Sequence, residues 1–84
     1  MYKIEFSHTA AKSLKKAPPD VAGRLLSAIE ELAADPYKTA GVKKLTAREG
    51  YRLRVGDWRI LYIIHNDVLI IHILNVGNRK EIYK

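Results

Sequence analysis

GYRLRVGDWRILYIIHNDVLIIHILNVGNRKEIY, residues Gly50 to Tyr83, reads as three antiparallel strands joined by two tight turns and followed by a short basic tail. Gly56-Asp57 separates two β-rich runs, a two-residue hairpin signal with glycine supplying positive φ. With those residues as the loop, Val55 opposes Trp58, Arg54 opposes Arg59, Leu53 opposes Ile60 and Arg52 opposes Leu61. Opposed residues point to the same side of a sheet, so Arg52, Arg54 and Arg59 share one face. Tyr51, Leu53, Val55, Trp58, Ile60 and Tyr62 share the other, which is apolar enough to require a cover of helices. A second two-residue turn at Asn66-Asp67 opposes Arg59 to Leu74, Ile60 to Ile73, Leu61 to His72 and Tyr62 to Ile71. Opposing Arg54 to Arg59 costs stability, because like charges across a strand pair repel. The cluster reads as a site for an anionic ligand rather than as ordinary surface, where signs alternate.

Upstream, Tyr2 to Phe6 alternates apolar and charged residues in the strand pattern. Ser7 or Thr9 can cap a helix over Ala10 to Lys16. Pro18-Pro19-Asp20 ends it and opens a second helix. In that helix Val21, Leu25, Ala28, Ile29 and Leu32 recur at helical spacing to about Ala34 and form a stripe for the sheet. Residues 38 to 49 read as a linker. Its Lys43, Lys44 and Arg48 are either solvated loop charges or phosphate contacts beside the arginine face. The expected fold is α+β, one domain over residues 1–84 in the order β-α-α-β-β-β: an antiparallel sheet with a helical hairpin packed on one face. The first strand falls at an edge or beside the last.

The chain has 84 residues and a formal net charge of +6, with pI near 9.7, which favours an anionic partner such as nucleic acid, an acidic protein or a membrane surface. It has no cysteine, hence no disulfide framework and no thiolate zinc site. No Asp/Glu/His cluster has metal-ligand spacing, and no cofactor is expected. The Ile60–Val76 run is interrupted by polar residues and rich in β-branched ones, so no membrane association is expected. With no signal-like apolar segment, the expected location is cytoplasmic.

Tyr51 to Tyr62, YRLRVGDWRILY, followed by Val76 to Tyr83, VGNRKEIY, resembles the RelE/ParE superfamily of type II toxins, and the resemblance extends over essentially the whole chain. It implies the RelE-like β-α-α-β-β-β fold. It also implies one of two activities: RelE-like members cut mRNA in the ribosomal A site without a metal, whereas ParE-like members inhibit DNA gyrase. Both are neutralised by an antitoxin, RelB-like in the first branch, whose C-terminal segment wraps the toxin and through which operator DNA is bound. An acidic antitoxin segment that folds on the basic surface fits the charge.

Carried onto this sequence, the RelE-like site uses Arg54, Arg59, Arg79 and Tyr83 as catalytic residues. Arg52, Arg54, Lys43, Lys44, Arg48 and Lys80 bind RNA or phosphate. Many relatives carry lysine at the positions of Arg52 and Arg54, and His or Lys at that of Asn78. Arginine stays protonated, so Arg52 and Arg54 bind phosphate and stabilise charge but make poor bases. Tyr83 serves as base if neighbouring arginines lower its pKa. His72, expected on the arginine face, is either a half-buried strand histidine or a base. His8, His65, Trp58 and Tyr62 read as structural. The alternatives are a ParE-like gyrase inhibitor and an inactive relative that only binds antitoxin.

Overall fold

The computed structural model describes the chain over residues 1–82, and side-chain burial through Lys80. Its elements are β1 (Lys3–Phe6), α1 (His8–Lys16), α2 (Pro19–Ala34), β2 (Val42–Lys44), β3 (Tyr51–Val55), β4 (Trp58–His65), β5 (Ile70–Asn78) and the one-turn α3 (Arg79–Ile82). The strands form one sheet in the order β1-β5-β4-β3-β2. This is the expected α+β architecture with two additions. Residues expected to be linker supply β2, a short edge strand, and the tail opens with a helical turn. Edge strand β1 runs parallel to β5, while the remaining pairs are antiparallel.

The helical hairpin forms where its caps and stripe place it. Ser7 is the N-cap of α1, and its Oγ accepts the Ala10 N–H at 3.0 Å, supplying one of the acceptors a helix start lacks. Pro18 and Pro19 fix the entry of α2, and Asp20 in its first turn complements the helix dipole. Leu25, Ile29 and Leu32 from α2 are buried with Leu53, Ile60, Tyr62, Ile71, Ile73 and Val76 of the sheet and Ala10 of α1. This is the apolar face anticipated from the strand alternation. Among the described residues no helix is long and apolar enough to cross a membrane.

The first hairpin has the expected register from Tyr51↔Tyr62 to Val55↔Trp58. Gly56, at φ 60°, takes the left-handed position at the start of the turn, which costs glycine nothing. The second hairpin departs from expectation. Its strands end at His65 and resume at Ile70, so four residues form the turn, with Leu69 held at φ 53°. The four-residue turn pairs Tyr62 with Ile73 rather than Ile71, and a β-bulge between Leu61 and Tyr62, with Leu74 as the extra residue, adds one more step, so that Ile60 pairs with Val76 rather than Ile73. The bulge is satisfied from two sides. Ser7 Oγ donates to the Leu74 carbonyl at 2.7 Å, and Asn75 Oδ1 accepts the Val76 N–H at 2.9 Å. It turns Asn75 out and Val76 into the core, so the buried face of β5 stays apolar through Val76.

Candidate nucleic-acid interface

On the face away from the helices, register places side chains in rows. Lys43, Arg52, Leu61 and Asn75 form one row; Arg54, Arg59 and Gly77 form the next toward the first turn. Arg54 and Lys43 are exposed and Arg52 is half-buried. None of the three spends its charge on a carboxylate among the described residues. Strand β2 therefore brings Lys43 beside Arg52, which sequence reasoning left in a loop. Lys44 pairs with Tyr51 and lies on the opposite side of the sheet, and Arg48 is exposed in the β2–β3 connection. Neither joins the rows.

Arg59 is not the open surface cation its face led us to expect. It retains only 7% exposure, and Nη1 donates to the Gly56 carbonyl at 2.9 Å and the Trp58 carbonyl at 3.0 Å. Nε is buried without a partner among the described residues. Opposite it stands the buried Gly77. The carbonyl of Asp57, the second turn residue, accepts the Arg79 backbone N–H at 2.7 Å. The two-residue turn thus anchors the Arg59 side chain through one carbonyl and the Arg79 backbone through the other. Arg79 and Lys80, both exposed, emerge beside it, and Asn78 Oδ1 accepts the Lys80 N–H at 3.1 Å. Tyr83 lies outside the described residues.

His72 is half-buried in a row with Ile63 and Glu5, one row farther from the arginines than expected, because the longer turn displaces this part of β5. Asn75 takes the place beside Leu61. Sequence reasoning missed Asn75, whose only signal was a polar residue in an apolar run. Among the described residues no three of His, Cys, Asp and Glu come together as ligands for a metal. On the helix-covered side, Tyr51 stacks on Tyr62 with ring centroids 5.8 Å apart, and Tyr37 meets Tyr51 edge-on at 6.1 Å. Burial, and then the neighbouring Tyr51 and Tyr37, push the Tyr62 hydroxyl well above the usual phenol range.

The family model described as "ParE toxin of type II toxin-antitoxin system, parDE" matches residues 4–83. The chain belongs to this toxin family. The toxin is 27% identical over 84 residues to Toxin RelG of Mycobacterium tuberculosis, covering 99% of this chain and 97% of the relative. It is 30% identical over 86 residues to the Putative toxin RelE1 of Methanocaldococcus jannaschii, covering 99% and 96%. Among solved structures it superposes on the toxin–antitoxin complex RelBE2 from M. tuberculosis with a TM-score of 0.81 at 30% identity, covering 93% of this chain and 98% of that one. The RelB–RelE antitoxin–toxin complex from Methanococcus jannaschii gives 0.74 at 30% identity, covering 94% of each. The isolated E. coli RelE toxin shares the fold, with a TM-score of 0.81 at 23% identity and coverage of 99% and 92%. These relatives make the toxin a RelE-like member of a type II toxin–antitoxin system.

Proposed function

We propose that the toxin is a ribosome-dependent mRNA endonuclease that cuts in the A site. The observation that carries this reading is the convergence on one end of the sheet of Arg54, Arg59 and Arg79, two of them tied to the same turn, with Lys43 and Arg52 in the adjoining row. Cleavage here takes the metal-free route. The substrate's own 2′-OH attacks the adjacent phosphorus and the 5′-oxygen leaves, giving a 2′,3′-cyclic phosphate and a 5′-OH. The transition state gathers negative charge on phosphoryl oxygens, and arginine guanidinium groups bind those oxygens in a planar, two-pronged fashion. Arg59 is fixed in advance by its turn contacts, so it reorganises little as the charge develops. Half-buried Arg52 and exposed Arg54, Lys43 and Lys80 hold the RNA backbone, with Lys44 and Arg48 farther out. Tyr83 is the proposed proton carrier, and the ribosome positions the substrate.

The partner is a RelB-like antitoxin that wraps the toxin in the cytoplasm and carries the complex to operator DNA. The complexes of RelE relatives with RelB support the first of these points. The test is single-turnover cleavage of mRNA on programmed ribosomes, with ribosome binding measured separately. Tyr83→Phe loses most activity if the hydroxyl moves a proton and keeps it if only the ring is needed. The match to the ParE family favours a second reading, inhibition of DNA gyrase. Intact mRNA together with gyrase inhibited in a supercoiling assay decides for it.

A further inference from the structure

Trp58 is the only tryptophan, and it stands at the turn end of the sheet, next to but across from the arginine rows. It is half-buried and packs against the core, yet it lines two separate clefts. One is walled by Asp57, Asn78, Arg79 and Lys80; the other includes Lys16 and Ser13 at the end of α1. A large aromatic residue serving as wall to two open clefts, with Lys16, Arg79 and Lys80 on their rims, has the composition of a nucleotide subsite: a π surface for the base and cations for the phosphates. Asp57 supplies a third part. Its side chain is exposed at the first cleft, and a carboxylate there is out of place if the cleft takes phosphate alone.

We infer that the cleft between Asp57, Trp58 and Arg79 binds a guanine nucleotide of the RNA, with the base on Trp58, its Watson–Crick edge on Asp57 and its phosphate on Arg79 and Lys80. The carboxylate sets the base. Guanine offers two adjacent donors, N1–H and the N2 amino group, matching the two carboxylate oxygens. Adenine and cytosine place an acceptor beside their amino group, and uracil presents one N–H between two carbonyls. Only guanine therefore makes two charge-assisted hydrogen bonds. The Asp57 carbonyl already holds the backbone of Arg79 at 2.7 Å, so the chain segments that carry the base-reading and phosphate-binding groups are tied together. The choice of RNA as ligand rests on the function proposed above, but the test does not pass through cleavage.

The lone indole reports directly. With fluorescence excited at the red edge, where tyrosine is silent, GMP quenches the signal saturably, with Kd on the order of 1 mM. It also shifts the one indole N–H resonance. AMP, CMP and UMP bind at least about fivefold more weakly, as the loss of one charge-assisted hydrogen bond requires. Asp57→Asn and Asp57→Ser abolish that preference while leaving the melting temperature and the indole resonance of the free protein unchanged. Quenching that is linear and never saturates, equal response to GMP and AMP, an equal effect of inorganic phosphate, or a preference retained in both variants overturns the site. Guanine-selective binding by a protein that leaves mRNA intact keeps the site and sinks the endonuclease. Cleavage without any indole response does the reverse.

Discussion

Arg59→Ala is expected to weaken the fold as well as the chemistry, and the structure sets the size of the first effect. The guanidinium is 7% exposed and bonds the carbonyl of turn residue Gly56 and that of Trp58, the first residue of β4, at 2.9 and 3.0 Å. Hydrogen bonds from a charged donor contribute roughly 1.5–3 kcal/mol each. Gly56 is exposed, so water replaces part of that loss, and removing the buried Nε, which has no partner among the described residues, recovers a further ~1 kcal/mol or more. The net cost is about 2 kcal/mol, which for a domain of this size lowers the melting temperature by about 8–16 °C. Arg59→Lys retains the charge on a flexible ammonium with three donors but without the planar fork, and falls between the parent and Arg59→Ala. The rate effect is separate: loss of one transition-state donor costs on the order of 100-fold or more. Calorimetry gives the first number, and single-turnover cleavage on ribosomes well below the melting temperature gives the second. An Arg59→Ala protein that melts within ~2 °C of its parent refutes the turn-anchoring role. One that melts as predicted and cuts at the parental rate refutes the catalytic one.

Arg54 is exposed and unpaired among the described residues and directly opposes Arg59, so Arg54→Ala does not lower the melting temperature and raises it slightly by relieving the like-charge opposition. It lowers the slope of log affinity for ribosomes or RNA against log salt by about 0.7–0.9, the release of one counterion. Gly50→Ala is destabilising by about 2–4 kcal/mol, because φ is 120° and an added Cβ meets the Tyr62 carbonyl at 2.8 Å; the urea midpoint reads it. Tyr62→Phe deletes a buried hydroxyl that has no partner among the described residues, so stability stays within ~0.5 kcal/mol or rises. The pH dependence of the same residue has a definite sign. Burial and its tyrosine neighbours raise the folded pKa above the unfolded value. Its contribution is therefore fully present below about pH 10 and is lost as pH rises beyond that, when the unfolded state ionises first. Chemical denaturation across that window shows a decline that Tyr62→Phe flattens.

The two hairpins explain what the sequence could convey. Gly56-Asp57 announced the first because one glycine in a left-handed conformation, flanked by alternating residues, leaves a single register. The rows carrying Arg52, Arg54 and Arg59 follow from that one turn. Asn66-Asp67 looked equally compact but is only half of its turn, which continues through exposed Val68 and Leu69. Leu69 at φ 53° carries no sequence mark, since a γ-branched residue rarely adopts that conformation unless its surroundings impose it. The bulge was hidden for a related reason. Its stabilisers, Ser7 and Asn75, act through a helix cap and a bond to the adjacent backbone, and Ser7 lies far away in sequence. Strand β2, three residues with two lysines, has no apolar alternation to show; pairing with β3 alone makes it a strand.

At the site, alternation could tell which way Arg59 points but not how deeply it sits. Its depth goes with the fold-back of its guanidinium onto the Gly56 and Trp58 carbonyls, which alternation does not encode, and Gly77 stands opposite it only in the displaced register. The same displacement removes His72 from the arginine row and leaves Asn75 there instead. Asn75 already accepts the Val76 N–H, so it brings no base to the row. The proposed proton carrier must accordingly come from beyond Lys80 or from the ribosome. Substitutions at His72 and Tyr83 therefore bear unequally on the proposed mechanism: parental cleavage by a His72→Ala protein is required by it, whereas parental cleavage by Tyr83→Phe would assign the whole of the proton transfer to the ribosome.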